Sequence, residues 1–184
     1  MAHRNTLHTE DTVLLIIDVQ ERFRAGIPDF DTALAGCLRL AQTFHVLDLP
    51  ILVTEQYPKG LGHTVPELLD VLAIRGTPEK TSFSSFSCEE ISEWLPAAGT
   101  RSIGVCGVET HVCVSQTVHD LLSAEYTPHV AVDSVASRKA LDHEVALRRM
   151  EQSGAVPTTS ETAAFELLGD AKHEKFKEVQ ALFK

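Results

Sequence analysis

The chain has 184 residues, 43% of them hydrophobic and 23% charged, with 26 acidic side chains against 16 basic ones and a formal net charge of −10. One domain over residues 1–184 fits this length, and a chain of this size buries roughly 70% of its unfolded surface without disulfide or metal staples. The acidic balance opposes a nucleic-acid backbone or an anionic membrane surface as partner, and no run approaches the roughly 20 apolar residues that span a bilayer.

Val13-Leu14-Leu15-Ile16-Ile17 is an unbroken apolar run that stops at Asp18, the pattern of a strand buried on both faces. Leu34, Leu38 and Ala41 recur at i, i+4 and i+7 and predict a helix over 31–46. Ile51-Leu52-Val53-Thr54 reads as a second strand, and 55–64, with Pro58, Gly60 and Gly62, as an irregular loop. Pro66 opens a short helix to Leu72. A third strand could end near Glu79-Lys80, ahead of a serine-rich segment and a helix over 89–95. A buried strand over 102–107 leads into an amphipathic helix that starts near Thr110 and carries Val114, Val118, Leu121 and Leu122. A strand over 128–132, a helix over 143–150, a weaker strand over 155–158 and a helical tail complete the pattern. Strand and helix alternate throughout, which implies an α/β fold with right-handed crossovers around a mostly parallel sheet.

The first eleven residues hold no apolar stretch of the secretory kind. The four cysteines (Cys37, Cys88, Cys106 and Cys113) form no C-x-x-C pair. Free thiols in a cytoplasmic protein are therefore expected. In parallel α/β folds the working site lies outside the carboxyl ends of the strands. Asp18, Lys80 and Cys113 all fall just after strands, whereas Cys37 and Cys106 read as small core residues. Cys113 lies in the first turn of its helix, where free N–H groups favour an anion. A thiol there falls from about 8.5 toward roughly 3.5–7.5. A nearby carboxylate could take its proton, a lysine could hold that carboxylate, and backbone N–H groups could hold an oxyanion.

The strand Leu15-Ile16-Ile17-Asp18-Val19-Gln20, the segment Glu79-Lys80-Thr81-Ser82-Phe83-Ser84-Ser85-Phe86 and Gly107-Val108-Glu109-Thr110-His111-Val112-Cys113-Val114 together resemble the isochorismatase-like cysteine hydrolases. The similarity extends to Thr54-Glu55-Gln56-Tyr57-Pro58, to Leu61-Gly62-His63-Thr64-Val65-Pro66-Glu67-Leu68 and to Phe165-Glu166-Leu167-Leu168-Gly169-Asp170-Ala171, and it looks most like the isochorismatase-domain-containing branch. The resemblance implies a three-layer α/β/α, Rossmann-like fold with a sheet of about six strands. It implies a triad in which Cys113 attacks a carbonyl or similar carbon, Asp18 carries the proton and Lys80 holds Asp18. It further implies a cis peptide between Val108 and Glu109, with the backbone amides of Glu109 and Cys113 as an oxyanion hole, and a homo-oligomer, dimer or tetramer.

Gln20, Phe23, Glu55, Tyr57 and His63 follow the first two strands and are candidate substrate-binding residues. Nicotinamidases of this superfamily carry an Asp-x-His metal motif where this chain reads Glu55-Gln56-Tyr57, with only His63 nearby. Zinc needs three or four placed ligands, so no metal and no cofactor are expected and nicotinamide is disfavoured. His111 and Cys113, two apart on a helix, face different directions, and Trp94 reads as structural. The chain lacks a G-x-S-x-G elbow, a P-loop and a G-x-G-x-x-G fingerprint. The expected function is metal-independent hydrolysis of a small-molecule amide, ester or related C–N bond through a thioacyl intermediate. Vinyl-ether hydrolysis with Asp18 as general acid, and a non-catalytic scaffold, stand as alternatives.

Overall fold

The computed structural model describes residues 3, 5–72 and 77–184. In chain order the elements are β1 (Thr12–Ile17), α1 (Glu21–Arg24), α2 (Phe30–Val46), β2 (Ile51–Gln56), α3 (Pro58–Leu61), α4 (Pro66–Leu72) and β3 (Glu79–Lys80). There follow α5 (Glu89–Ala97), β4 (Ser102–Val108), α6 (Ser115–Ser123), β5 (Thr127–Ala136), α7 (Ala140–Gln152), β6 (Val156–Thr158), α8 (Ser160–Leu168) and α9 (Phe176–Ala181).

The strands form one sheet in the order β3-β2-β1-β4-β5-β6, with every pairing parallel. The chain builds outward from β1 to β3 and then returns to place β4 on the other side of β1. The reversal makes the β1–β4 boundary the topological switch point, where the strands' carboxyl ends leave a crevice.

Alternation along β1 builds the layers. Leu14 and Ile16 pack with Phe30, Leu40 and Phe44 under α2. Val13, Leu15 and Ile17 pack on the opposite face with Ile91, Leu95, Val114, Val118 and Leu121. Full burial of each such side chain contributes about 1.5–3 kcal/mol before chain entropy is counted. A strand apolar on both faces is stable only between two helical layers, so the unbroken run of β1 and the three-layer fold are one fact. Among the described residues, no helix is long and apolar enough to cross a membrane.

Three elements differ from the sequence expectation. The stretch 55–64 is not wholly loop, because β2 continues through Gln56 and α3 forms one turn behind Pro58. The fifth strand continues past 132 to Ala136. Its polar pair is satisfied in place, since Asp133 accepts from the Ser160 N–H (2.8 Å) and hydroxyl (2.5 Å) at the start of α8. The helix expected from Thr110 begins as a π turn, Thr110–Val114, before α6 proper.

Candidate active site

The site is built on the carboxyl ends of β1, β2, β3 and β4. Asp18 follows β1 with φ 53°, in the left-handed region that costs most L-residues energy and that aspartate tolerates better than most. Its side chain is fully buried. One carboxylate oxygen accepts from Thr54 Oγ1 at 2.9 Å and the other from Lys80 Nζ at 2.6 Å. Lys80 is placed by register: β3 is two residues long, and it pairs Lys80 with Gln56 at the end of β2. The ammonium is enclosed by Asp18, Gln56 Oε1 (2.8 Å) and the carbonyls of Ser82 (3.3 Å) and Phe83 (3.1 Å). An ammonium and a carboxylate leave water together only with such full coordination.

Gly107 lets β4 deliver the third residue. Its φ is +118°, and a Cβ there would meet the Ile17 carbonyl oxygen at 2.0 Å. Only glycine allows β4 to pass this close to the end of β1. The Val108–Glu109 peptide that follows is cis, as the family resemblance implies. The π turn then places the Cys113 thiol beside Asp18, near enough for the carboxylate and the Glu109 backbone N–H to act on it electrostatically.

Asp18, Lys80 and Cys113 are thus brought together, but the electrostatics of the thiol run against the sequence expectation. Burial, with the Asp18 carboxylate second, pushes Cys113 well above an ordinary thiol; Lys80 and the Glu109 N–H pull it down by less. The helix-start argument fails because the first N–H groups are already engaged: those of Val112 and Val114 both donate to the Glu109 carbonyl. Burial likewise raises Asp18 above the usual carboxylate range, against the pull of Lys80. A protonated thiol beside a carboxylate of raised basicity is a proton-transfer pair, with the base next to the group whose proton it would take.

Buried hydroxyls tie the two sides of the crevice together. Thr54 Oγ1 lies 2.9 Å from Ser85 Oγ, the Ser85 N–H donates to Thr117 Oγ1 at 2.8 Å, and Thr117 donates to the Cys113 carbonyl at 2.7 Å. The carbonyl of the cysteine and the carboxylate of Asp18 therefore belong to one hydrogen-bonded chain.

Above the thiol lies a cavity of about 470 Å³. Phe23, Ile27, Leu61, Phe83 and Val112 form its apolar wall; Arg22, Gln56, Glu109 and Arg138 supply the polar groups. Of the candidate substrate-binding residues, Phe23 lines this cavity, whereas Gln20, Glu55, Tyr57 and His63 are not among its lining residues. Gln20 is fully buried, and its amide is spent on the Gln56 N–H (2.7 Å) and on the carbonyls of Gln56 (3.0 Å) and Gly62 (2.5 Å). Glu55 accepts from the Thr64 N–H (2.6 Å), the Thr64 hydroxyl (2.7 Å) and His63 (3.0 Å), which clamps the loop. Tyr57 is about half exposed and covers Gly60. A second hollow, of about 240 Å³ among Asp29, Asp133 and Glu144, touches none of the triad. Among the described residues, no three His, Cys, Asp or Glu side chains are grouped as metal ligands.

Thr54, Gln56, Ser85, Thr117 and Arg138 complete the site and were not singled out from the sequence. Period-two alternation along β2 puts Thr54 and Gln56 on one face, a signal for both. Arg138 follows β5 as Asp18 follows β1, but the strand-end rule misses it once the strand is stopped at 132. Arg138 donates from its backbone N–H (3.0 Å) and Nε (2.9 Å) to the Glu109 carboxylate.

Comparison with known proteins fits this geometry. The isochorismatase domain family matches residues 12–162. Isochorismatase domain-containing protein 2 of Xenopus laevis is 45% identical over 176 residues, covering 96% of this chain and 85% of that protein. Isochorismatase domain-containing protein 1 of Salmo salar is 43% identical over 173 residues, with 94% of this chain covered; the match spans 61% of that relative's length. Among solved structures, one described as MAR1 ribonuclease from Caenorhabditis elegans superposes with a TM-score of 0.90 at 41% identity, covering 96% of this chain and 91% of the other. The parallel sheet, its switch point and the match along most of the chain agree: this chain belongs to the isochorismatase family, whose fold it shares.

Proposed function

We propose that this chain is a hydrolase of small amides or esters in which Cys113 is the nucleophile. One observation carries the reading: a buried thiol lies beside a carboxylate that is itself held by a buried lysine, at the floor of a cavity of about 470 Å³. Asp18 takes the thiol proton as sulfur bonds to the substrate carbonyl carbon, and the carbonyl electrons move to oxygen. Backbone N–H groups of Glu109 and Cys113 receive that oxyanion. Collapse breaks the C–N or C–O bond, and the leaving group departs with the proton from Asp18. Water then attacks the thioacyl carbon and gives a proton to Asp18. The C–S bond breaks, the acid leaves and the proton returns to sulfur. Lys80 keeps Asp18 positioned and compensates its charge throughout.

The raised carboxylate favours a second reading on the same fold. A protonated Asp18 could act as general acid on a vinyl ether, with Cys113 secondary. A panel of small amides, esters and isochorismate, assayed with wild type and Cys113→Ala, separates the two. Loss of amide or ester turnover by at least about a thousandfold in the variant supports the thiol route. Isochorismate turnover that survives the substitution supports the acid route, and stoichiometric binding without any turnover points to a scaffold. RNA belongs in the panel because of the name of the C. elegans neighbour, although a net charge of −10 opposes retention of a phosphate backbone.

A further inference from the structure

We infer that the cavity above Cys113 takes an anionic substrate, a small carboxylate whose apolar body separates its charge from the scissile carbonyl. The inference rests on the hydrolase reading for the word substrate, but its charge preference stands on separate observations.

Arg22 and Arg138 both line the cavity, against one acidic side chain, Glu109. That carboxylate is already covered, because Arg138 donates to it from its backbone N–H and from Nε. The terminal nitrogens of Arg138 make no further hydrogen bond to the described residues, and Arg22 makes neither a hydrogen bond nor an ion pair with them. Deeper in, Lys80 and Asp18 compensate each other at 2.6 Å. The mouth of the cavity thus carries net positive charge inside a chain whose overall charge is −10.

Arg24, on the same short helix as Arg22, is by contrast neutralised. Arg24 is paired with Glu21 and Glu67, at 3.3 and 2.8 Å, and with Asp31. What sets Arg22 and Arg138 apart from the exposed arginines elsewhere is that both line one cavity, in a protein with ten more acidic than basic groups. Planar guanidinium groups match a carboxylate through paired N–H donors. Phe23, Ile27 and Leu61, which line the same cavity as the thiol, suit a short apolar segment rather than a second charge. A cationic substrate would meet like charge at the mouth, and a neutral one would leave both guanidiniums unused.

The test exploits two thiol reagents of nearly equal size and opposite demand on the mouth, iodoacetate and iodoacetamide. The rate of alkylation at Cys113, followed by peptide mass spectrometry, gives a ratio that cancels changes in the thiol's own reactivity and needs no turnover. The iodoacetate-to-iodoacetamide ratio is expected to fall about threefold to fivefold in Arg22→Gln and in Arg138→Gln, the range for partly exposed charge pairs. In wild type it should fall as salt is raised from 0.01 to 0.5 M. An unchanged ratio in both variants, with no salt dependence, overturns the inference. In parallel, 4-nitrophenyl butyrate and the mono-4-nitrophenyl ester of glutaric acid are compared as substrates. Preference for the acidic ester, lost in Arg22→Gln, supports the inference; equal hydrolysis of both overturns it and leaves the hydrolase reading standing. A falling alkylation ratio with neither ester hydrolysed retains the anion site and removes the hydrolase reading.

Discussion

Cys106 and Cys113 lie seven residues apart and inhabit different chemistry. Cys106 sits inside β4, fully buried, beside Cys37 of α2 in the apolar layer. Cys113 lies one turn beyond the same strand, almost as well buried, against a carboxylate and beneath a cavity. Burial pushes both thiols up. Ground-state acidity therefore does not tell the two apart. What separates them is an adjacent base and a route of access, both of which exist only where the strands end. The interior of the sheet stabilises by excluding water, whereas its carboxyl edge holds polar groups that must all be satisfied by one another.

Four experiments sharpen or break this contrast. The largest effect is expected from Lys80→Met, which leaves Asp18 buried without its partner; a loss of about 3–5 kcal/mol in urea unfolding is expected. A loss below 1 kcal/mol would show that the polar edge is not held by this pair. Next, iodoacetamide under native conditions should label Cys113 about a hundredfold faster than Cys106, since the latter must await local opening. Comparable rates would erase the distinction of access.

The third concerns pH. The folded state keeps the Cys113 proton that the unfolded chain releases above about pH 8.5. This contribution to stability is intact below that pH and is lost as pH rises. Between pH 8 and 10 wild type should lose about 2 kcal/mol relative to Cys113→Ala, because the other cysteines are common to both proteins. A constant difference would mean that the thiol ionises freely in the folded state. The smallest effect is expected for Thr117→Val, which removes the hydroxyl linking Ser85 to the Cys113 carbonyl and should cost about 1 kcal/mol.

The layers were legible from β1 alone, because a five-residue apolar run has no stable place except between two helical sheets of side chains. The three central residues were legible because each stands at or just beyond the end of a strand, in a motif. The substrate side was less so. Gln20, Glu55 and His63 lie at or beyond strand ends as Phe23 does, yet their polar atoms are consumed by the loop they hold, and chain position cannot distinguish a residue that faces a ligand from one that braces the backbone. Arg138 was hidden by Asp133 and Ser134, polar residues that mimic a strand end; Asp133 is satisfied by Ser160 of α8, and the Ser134 hydroxyl donates to Asp133. The raised thiol was hidden for a related reason. A helix start suggests free N–H groups, and only the π turn shows them occupied by the Glu109 carbonyl.

The central claim, that Cys113 becomes covalently acylated during turnover, is tested most directly by rapid acid quench of wild type with a hydrolysed ester or amide, followed by intact-mass and peptide analysis. A mass increase equal to the acyl group is expected, confined to the peptide bearing Cys113 and absent in Cys113→Ala. Steady turnover with no adduct in wild type, and undiminished in Cys113→Ala, would contradict it.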